Sequence, residues 1–299
     1  MFRDSFCRAA APWVGAALIG IGLTACGQTE TPVASLTVKP TEVTLPYPGY
    51  ADLQLDFVMK EPLDGDVRPL VFVHVLDGSG DVVRTFDHEL PEPWRPGSTV
   101  SDTVTLHQSA LAPPLPAGTY ALTAGLYRGD RRWPLETEAP DAAHAEYRVA
   151  QITVPQDGSK APMLHFSPSW MATEAGSDAQ VLARRWLAQD GTLRLADVAA
   201  PGTLRLSLNL PEPGNPEDLV LEEGHQEPSV SIESDCGGGF STTLAGFGPH
   251  LVEVPVQAGE DGTLPEICEL AFDVHSHLLE RRTLQTRAVL LEGISWRAD

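Results

Sequence analysis

Leu70-Val71-Phe72-Val73-His74-Val75-Leu76-Asp77-Gly78-Ser79-Gly80-Asp81-Val82-Val83 is the stretch that decides the fold. Residues 70–76 are apolar except for His74, and they stop at Asp-Gly-Ser-Gly, a run of turn formers. A continuous apolar run this short, rich in Val and ended by a turn, predicts a central β-strand. Val82-Val83 starts the return strand of a hairpin. Upstream, Leu53, Leu55 and Phe57 alternate with Asp52, Gln54 and Asp56, the period of two of a half-buried strand. Leu36-Thr37-Val38 and Val43-Thr44-Leu45 are short strands flanking a proline turn.

Downstream, Val100, Val104 and Leu106 belong to one strand. Pro116-Ala117-Gly118-Thr119 turns into another that runs from Tyr120 to Tyr127, with Tyr120, Leu122, Ala124 and Leu126 on one face. Tyr147–Val154 closes the set. Seven or eight strands at this spacing over residues 35–155 predict a β-sandwich of immunoglobulin or fibronectin type. Residues 156–162 (QDGSKAP) read as a linker. A second all-β domain follows over 163–299, with strands expected at 193–195, 203–208, 230–233, 240–244, 251–256, 267–274 and 286–296. Residues 178–188 read as a loop and strand rather than a helix. Residues 211–228 read as a long acidic loop. The 26 Gly and 26 Pro, scattered among short apolar runs, support the all-β reading.

At the N-terminus, Trp13–Ala25 is uncharged and mostly apolar, preceded by Arg3 and Arg8 and ended by Leu23-Thr24-Ala25-Cys26. Such a run is too short for a spanning helix, which needs roughly 20 residues, and suits a signal h-region. The tetrapeptide resembles the lipobox of bacterial lipoprotein precursors. That resemblance implies cleavage before Cys26, lipidation of its thiol, palmitate among the acyl chains and tethering to a membrane. Gly27 in place of Asp implies outer-membrane rather than inner-membrane sorting. Residues 27–34 then form a tether reaching about 26 Å at ~3.3 Å per residue.

Loss of residues 1–25 removes Arg3, Arg8 and Asp4, so the 20 Lys+Arg become 18 and the 41 Asp+Glu become 40, a balance of −22. That charge argues against nucleic acid and anionic lipid surfaces, which cationic patches read. Apart from Cys7 in the leader and Cys26, only Cys236 and Cys268 are left. In an oxidising compartment a disulfide is the default for them. A reactive or metal-binding pair is the alternative, without CxxC spacing to support it.

Val71–Asp77, Trp94-Arg95-Pro96-Gly97, Leu115–Tyr120 and Gly125-Leu126-Tyr127 together resemble β-sandwich modules appended to bacterial membrane glycosyltransferases and found in envelope proteins. The matching motifs are structural, so the resemblance implies a fold and an envelope setting but no activity. More loosely, Trp170, Glu174, Arg185-Trp186 and Gly293-Ile294-Ser295-Trp296 resemble jelly-roll modules of carbohydrate-binding type.

Candidate chemistry is sparse. His275 and His277 sit at i and i+2, on one face if in a strand, and could share a metal with His250 or Asp273. They also suit an exposed polar face near a strand end. Asp77–Asp81 begins like a calcium loop without the later bidentate Glu, and a hairpin turn explains it equally well. Asp64-Gly65-Asp66 reads the same way. Gly237-Gly238-Gly239 lacks the lysine of a phosphate loop, and no G-x-S-x-G elbow is present. Trp94, Trp133 and Trp170 lie near turns, where an exposed ring could stack on a sugar; in a sandwich such rings more often fill the core.

The sequence thus points to a non-enzymatic, lipid-anchored envelope protein with a binding or assembly role and no cofactor. Its partners would be the membrane, reached through the lipid, and a glycan or another envelope protein. Two alternatives stand beside it: carbohydrate recognition by the second domain, and a metal-dependent hydrolase built on His275 and His277.

Overall fold

The computed structural model describes residues 31–63, 68–158, 160–176, 181–214, 219–221, 228–259, 262–275, 278–281 and 283–299. All the helix- or strand-forming residues among them are strands, and Pro32–Asp299 forms one compact unit. The architecture is all-β, with two sandwiches in sequence.

The first sandwich is built from β1 (Ala34–Lys39), β2 (Glu42–Thr44), β3 (Gly49–Met59), β4 (Leu70–Leu76), β5 (Val82–Thr85), β6 (His88–Glu89), β7 (Thr99–Gln108), β8 (Gly118–Arg128), β9 (Arg131–Trp133), β10 (Leu135–Glu136), β11 (Asp141–Ala143) and β12 (Glu146–Val154). One sheet has the order β10-β1-β3-β7. The other runs β11-β12-β8-β4-β5, with β2 on β12, β6 on β4 and β9 on β8. Alternation does the sorting: Leu53, Leu55 and Phe57 from β3 meet Val71, Val73 and Val75 from β4 and Leu122, Ala124 and Leu126 from β8.

The unbroken apolar run of β4 has a local cause. Phe72 points to the outer face of its sheet yet is only 2% exposed. Gly125, directly opposite on β8, has no Cβ to collide with its ring, and the Arg132 guanidinium lies over it at 4.8 Å. Where the two sheets part at one edge, His88 and the buried Asp102 bond across them at 2.5 Å.

The second sandwich contains β13 (Met163–Phe166), β14 (Glu174–Ala175), β15 (Ala183–Leu187), β16 (Gly191–Ala196), β17 (Gly202–Leu210), β18 (Leu219–Leu221), β19 (Ser229–Ser234), β20 (Phe240–Ala245), β21 (Gly248–Val256), β22 (Ile267–Val274), β23 (Leu278–Glu280), β24 (Thr286–Arg287) and β25 (Val289–Ala298). Sheets β13-β16-β22-β19-β20 and β14-β15-β25-β17-β21 enclose its core. Cys236, just past β19, forms a disulfide with Cys268 on β22, with the Cα atoms 4.9 Å apart.

A third, small sheet, β18-β23-β24, takes β18 from the stretch expected to be an acidic loop. Its cause is Leu219-Val220-Leu221: Leu219 is fully buried with Trp186, Leu278 and Leu290 in a separate cluster on the outside of the β15–β25 sheet. The expected strand over 286–296 divides at Ala288 into β24 and β25, which join different sheets. Strand β13 was not foreseen.

The two sandwiches touch through outer faces. Tyr50 and Asp52 of β3 and Thr105 of β7 face Arg205 of β17 and Arg297 of β25. Beside this contact, Ala110 N–H donates to Ile294 C=O at 2.7 Å, and the Ser109 hydroxyl accepts from Ile294 N–H at 3.2 Å.

Candidate functional site

A groove of about 1120 Å³ runs along one flank of the first sandwich. One wall is Ser35–Val38 of β1. Arg148–Gln151 of β12, Glu136–Ala139 and the Asp77–Gly80 turn complete it. The groove exists because two strand partners diverge. β10 pairs with β1 only at Ala34 and Ser35 before the chain turns away through Thr137. On the opposite side β11 pairs with β12 only at Glu146 and Tyr147, and β2 joins β12 from Gln151 onward.

The lining is polar and acidic. Among the described residues, Glu42, Asp77, Glu136 and Glu138 share the lining with one cation, Arg148, while Glu136 is paired with Lys60. Asp77 Oδ1 accepts from Ser79 N–H at 2.8 Å, Ser79 Oγ–H at 2.7 Å and Asp81 N–H at 3.0 Å. The Ser79 hydroxyl and the Asp81 amide hold its carboxyl below the ordinary range, so the groove keeps that charge. These bonds are those of a hairpin turn, the reading the sequence allowed beside a calcium loop. Tyr120 is buried, and its hydroxyl donates to Pro116 C=O at 2.7 Å; burial, then the Asp77 charge, raises its pKa.

The tryptophans singled out by the sequence do not gather. Trp133 is 3% exposed and Trp170 4%, each packed in the core of its own sandwich, so neither offers a ring face to a sugar. Their bulk and apolar area drew them inward despite the adjacent turns. Trp94 is half-buried, and its indole N–H donates to Leu90 C=O and Pro91 C=O at 3.0 and 2.9 Å.

His275 is exposed at the end of β22, with Nε2 3.1 Å from the Ser231 hydroxyl. His250 stands on β21 of the opposite sheet, bonded to Gly246 C=O at 3.2 Å. His277 lies outside the described residues, as do Cys26 with its leader and Asp64-Gly65-Asp66. Among the described residues, one trio has ligand atoms close enough for a metal, Asp235, Cys236 and Cys268, and its two sulfurs are joined as the disulfide. Sequence reasoning missed the groove. Its signal, the parting of β10 from β1, depends on long-range pairing that no local pattern records.

No protein-family model and no curated protein matches the sequence. Among solved structures, the chain is similar to Bacteroides ovatus SGBP-B of a mixed-linkage glucan utilization locus in complex with a mixed-linkage heptasaccharide. The identity is 9%, over 86% of this chain and 52% of that one, with a TM-score of 0.24. It is similar at 10% identity to a structure of the catalytic domain with the CBM51-1 and CBM51-2 domains of Clostridium perfringens ZmpB, over 91% and 32%, with a TM-score of 0.28. A calcium-binding mutant of Bacteroides uniformis beta-glucuronidase 2 matches at 12% identity over 89% and 30%, with a TM-score of 0.24. The chain spans about half the length of the first and under a third of each of the other two. At these scores the likenesses carry no argument about a site or ligand.

Proposed function

We propose that this chain is a non-catalytic lipoprotein of the bacterial cell envelope, anchored through Cys26, that binds a partner in the groove of its first sandwich. The observation that carries the binding role is the groove itself, a polar opening bordered by carboxylates and by a strand edge that is unpaired among the described residues. The anchor rests on Leu23-Thr24-Ala25-Cys26 behind an apolar run, and Gly27 favours the outer membrane. Two or three acyl chains, at about 0.8 kcal/mol per buried methylene, would hold it durably. The modules resembled by the first sandwich fit the same setting.

Labelling cells with a palmitate analogue tests the anchor. The wild-type chain should carry the label and sediment with membranes, and Cys26→Ser should lose both; label or membrane retention in Cys26→Ser would refute it. Surface immobilisation of the purified chain, followed by a screen of envelope extracts with and without Glu42→Lys/Glu138→Lys, tests the groove.

A second reading, carbohydrate recognition, moves from the second sandwich to the groove, where Ser35, Thr37, Thr41 and Thr119 supply hydroxyls beside the carboxylates. A glycan array read with the same pair of proteins discriminates it.

A further inference from the structure

We propose that the groove takes an extended, positively charged peptide segment, which adds as a strand to the open edge of β1. This deepens the binding role proposed above and rests on it.

β1 is paired along one side for its whole length, from Ala34 opposite Met59 to Lys39 opposite Gln54 of β3. On its other side β10 pairs with Ala34 and Ser35 alone. Among the described residues no strand lies against that side from Leu36 to Lys39. Alternate residues there turn N–H and C=O toward the groove, a ready template for another strand. Peptides are captured at sheet edges in this way, with main-chain bonds giving affinity and side-chain contacts giving specificity.

The size fits. A strand residue occupies about 160 Å³, taken as ~3.3 Å of rise, ~4.8 Å between strands and ~10 Å between sheets. The open edge from Leu36 to Lys39 offers pairing for about four such residues, roughly 640 Å³, which the groove's 1120 Å³ accommodates. The charge fits as well. Among the described residues, Arg148 is the cation that lines the groove beside Glu42, Asp77 and Glu138, whereas Glu136 pairs with Lys60. Between these carboxylates, Leu76, Ala121, Ala139 and Ala150 form a shallow apolar floor. A strand alternating lysine or arginine with small apolar residues would satisfy both sets at once, because its side chains point alternately to its two faces. Stacking of a sugar would call for an exposed aromatic face. Tyr120 is the aromatic residue of the lining, and it is buried with its hydroxyl engaged.

The test uses the whole chain and a fluorescent decapeptide of alternating lysine and valine, followed by anisotropy. Saturable binding is expected. Binding should weaken at least tenfold for the same peptide N-methylated at every residue, which keeps the charge and removes the N–H donors. It should weaken as much for an alternating glutamate–valine peptide and for Glu42→Lys/Glu138→Lys. Glu233→Lys/Glu266→Lys, with the same change of charge on exposed residues outside the groove, should bind as the wild type does. Thermal melts verify that both variants fold. Equal binding of the methylated peptide, or equal loss in the control variant, would reduce the interaction to bulk charge and overturn the proposal. Binding of β-glucan oligosaccharides with no peptide binding would also overturn it while leaving the groove a binding site. Silence from both probes and from the envelope-extract screen would remove the broader reading too.

Discussion

The Arg205 guanidinium lies over the ring of Tyr50, 3.8 Å from its centroid, with one residue in each sandwich. The same guanidinium donates to Glu253 at 2.6 and 3.0 Å and to Thr105 at 3.0 Å, and it reaches Asp52 at 3.4 Å. Arg297 adds a second cation over Tyr50 at 4.5 Å and bonds Asp52 at 3.3 Å. Burial pushes the Asp52 carboxyl up, but Thr105 and the two arginines outweigh it and hold it below the ordinary range. The contact is therefore charge-matched and ordered, unlike the loose polar contact expected between independent domains.

Arg205→Ala removes the stacked cation and leaves Thr105 and Glu253 short of a donor. Loss of one partner from a fully buried pair costs about 3–5 kcal/mol. Asp52 and Glu253 keep some contact with water and Arg297 stays, so we expect about 2 kcal/mol, together with faster proteolysis between residues 155 and 163. Urea midpoints and limited trypsin digestion measure the two effects; an unchanged midpoint would mean that the joint is incidental.

His88 gives stability a pH signature. Burial favours its neutral ring, but the Asp102 carboxylate and the Phe86 carbonyl outweigh that, and its pKa is raised above 6.5. A raised folded value means that the protonated form is stabilised. The contribution is complete below about pH 6.5 and fades as pH climbs through the folded value. The urea midpoint of wild type should exceed that of His88→Gln most at pH 6, and the gap should narrow by pH 9. A gap that widens with pH contradicts the assignment. His107 works in the opposite sense: burial, with Arg205 and Arg84, lowers its pKa, so its ring opposes stability as pH falls below 6.5.

The bond between Cys236 and Cys268 closes a loop across a sequence separation of 32. In the chain-entropy account a loop of that size is worth about 3–4 kcal/mol. Cys236→Ser/Cys268→Ser should lower the unfolding free energy by roughly that amount and shift the second sandwich's transition more than the first's. Calorimetry resolves this, and one transition displaced as a whole would show instead that the halves unfold together.

Gly125→Ala places a methyl against the Phe72 ring and 2.7 Å from Ala145 C=O. Backbone on one side and a buried ring on the other leave little room to yield. We expect a cost of about 1–3 kcal/mol, recovered in large part by Gly125→Ala/Phe72→Leu. Chemical denaturation of the single and double variants checks it; additive losses would show that the two residues do not press on each other.

Much of the fold was legible because alternation is a local signal. Leu53, Leu55 and Phe57, or Tyr120 through Leu126, declare a face within a few residues of chain. Leu219-Val220-Leu221 shows where that reading ends: three apolar residues inside an acidic stretch form a strand because Leu278 and Trp186, far along the chain, offer a place to bury. Trp133 and Trp170 failed as surface candidates for a related reason. A turn nearby says where the backbone bends, while burial is decided by what packs from across the sheet. The groove was illegible altogether, since it is defined by a strand that leaves, and no residue type marks a missing neighbour.

The bond from Ala110 to Ile294 has one more consequence. β15 accompanies β25 only over Val289–Leu291, so the rest of that side of β25 would be a bare edge in an isolated second half. Ser109 and Ala110, contributed by the first half, occupy it at Ile294. Bare edges recruit other chains. The first sandwich thus covers part of an edge that the second leaves open, and a chain cut between the two would expose it at Ile294.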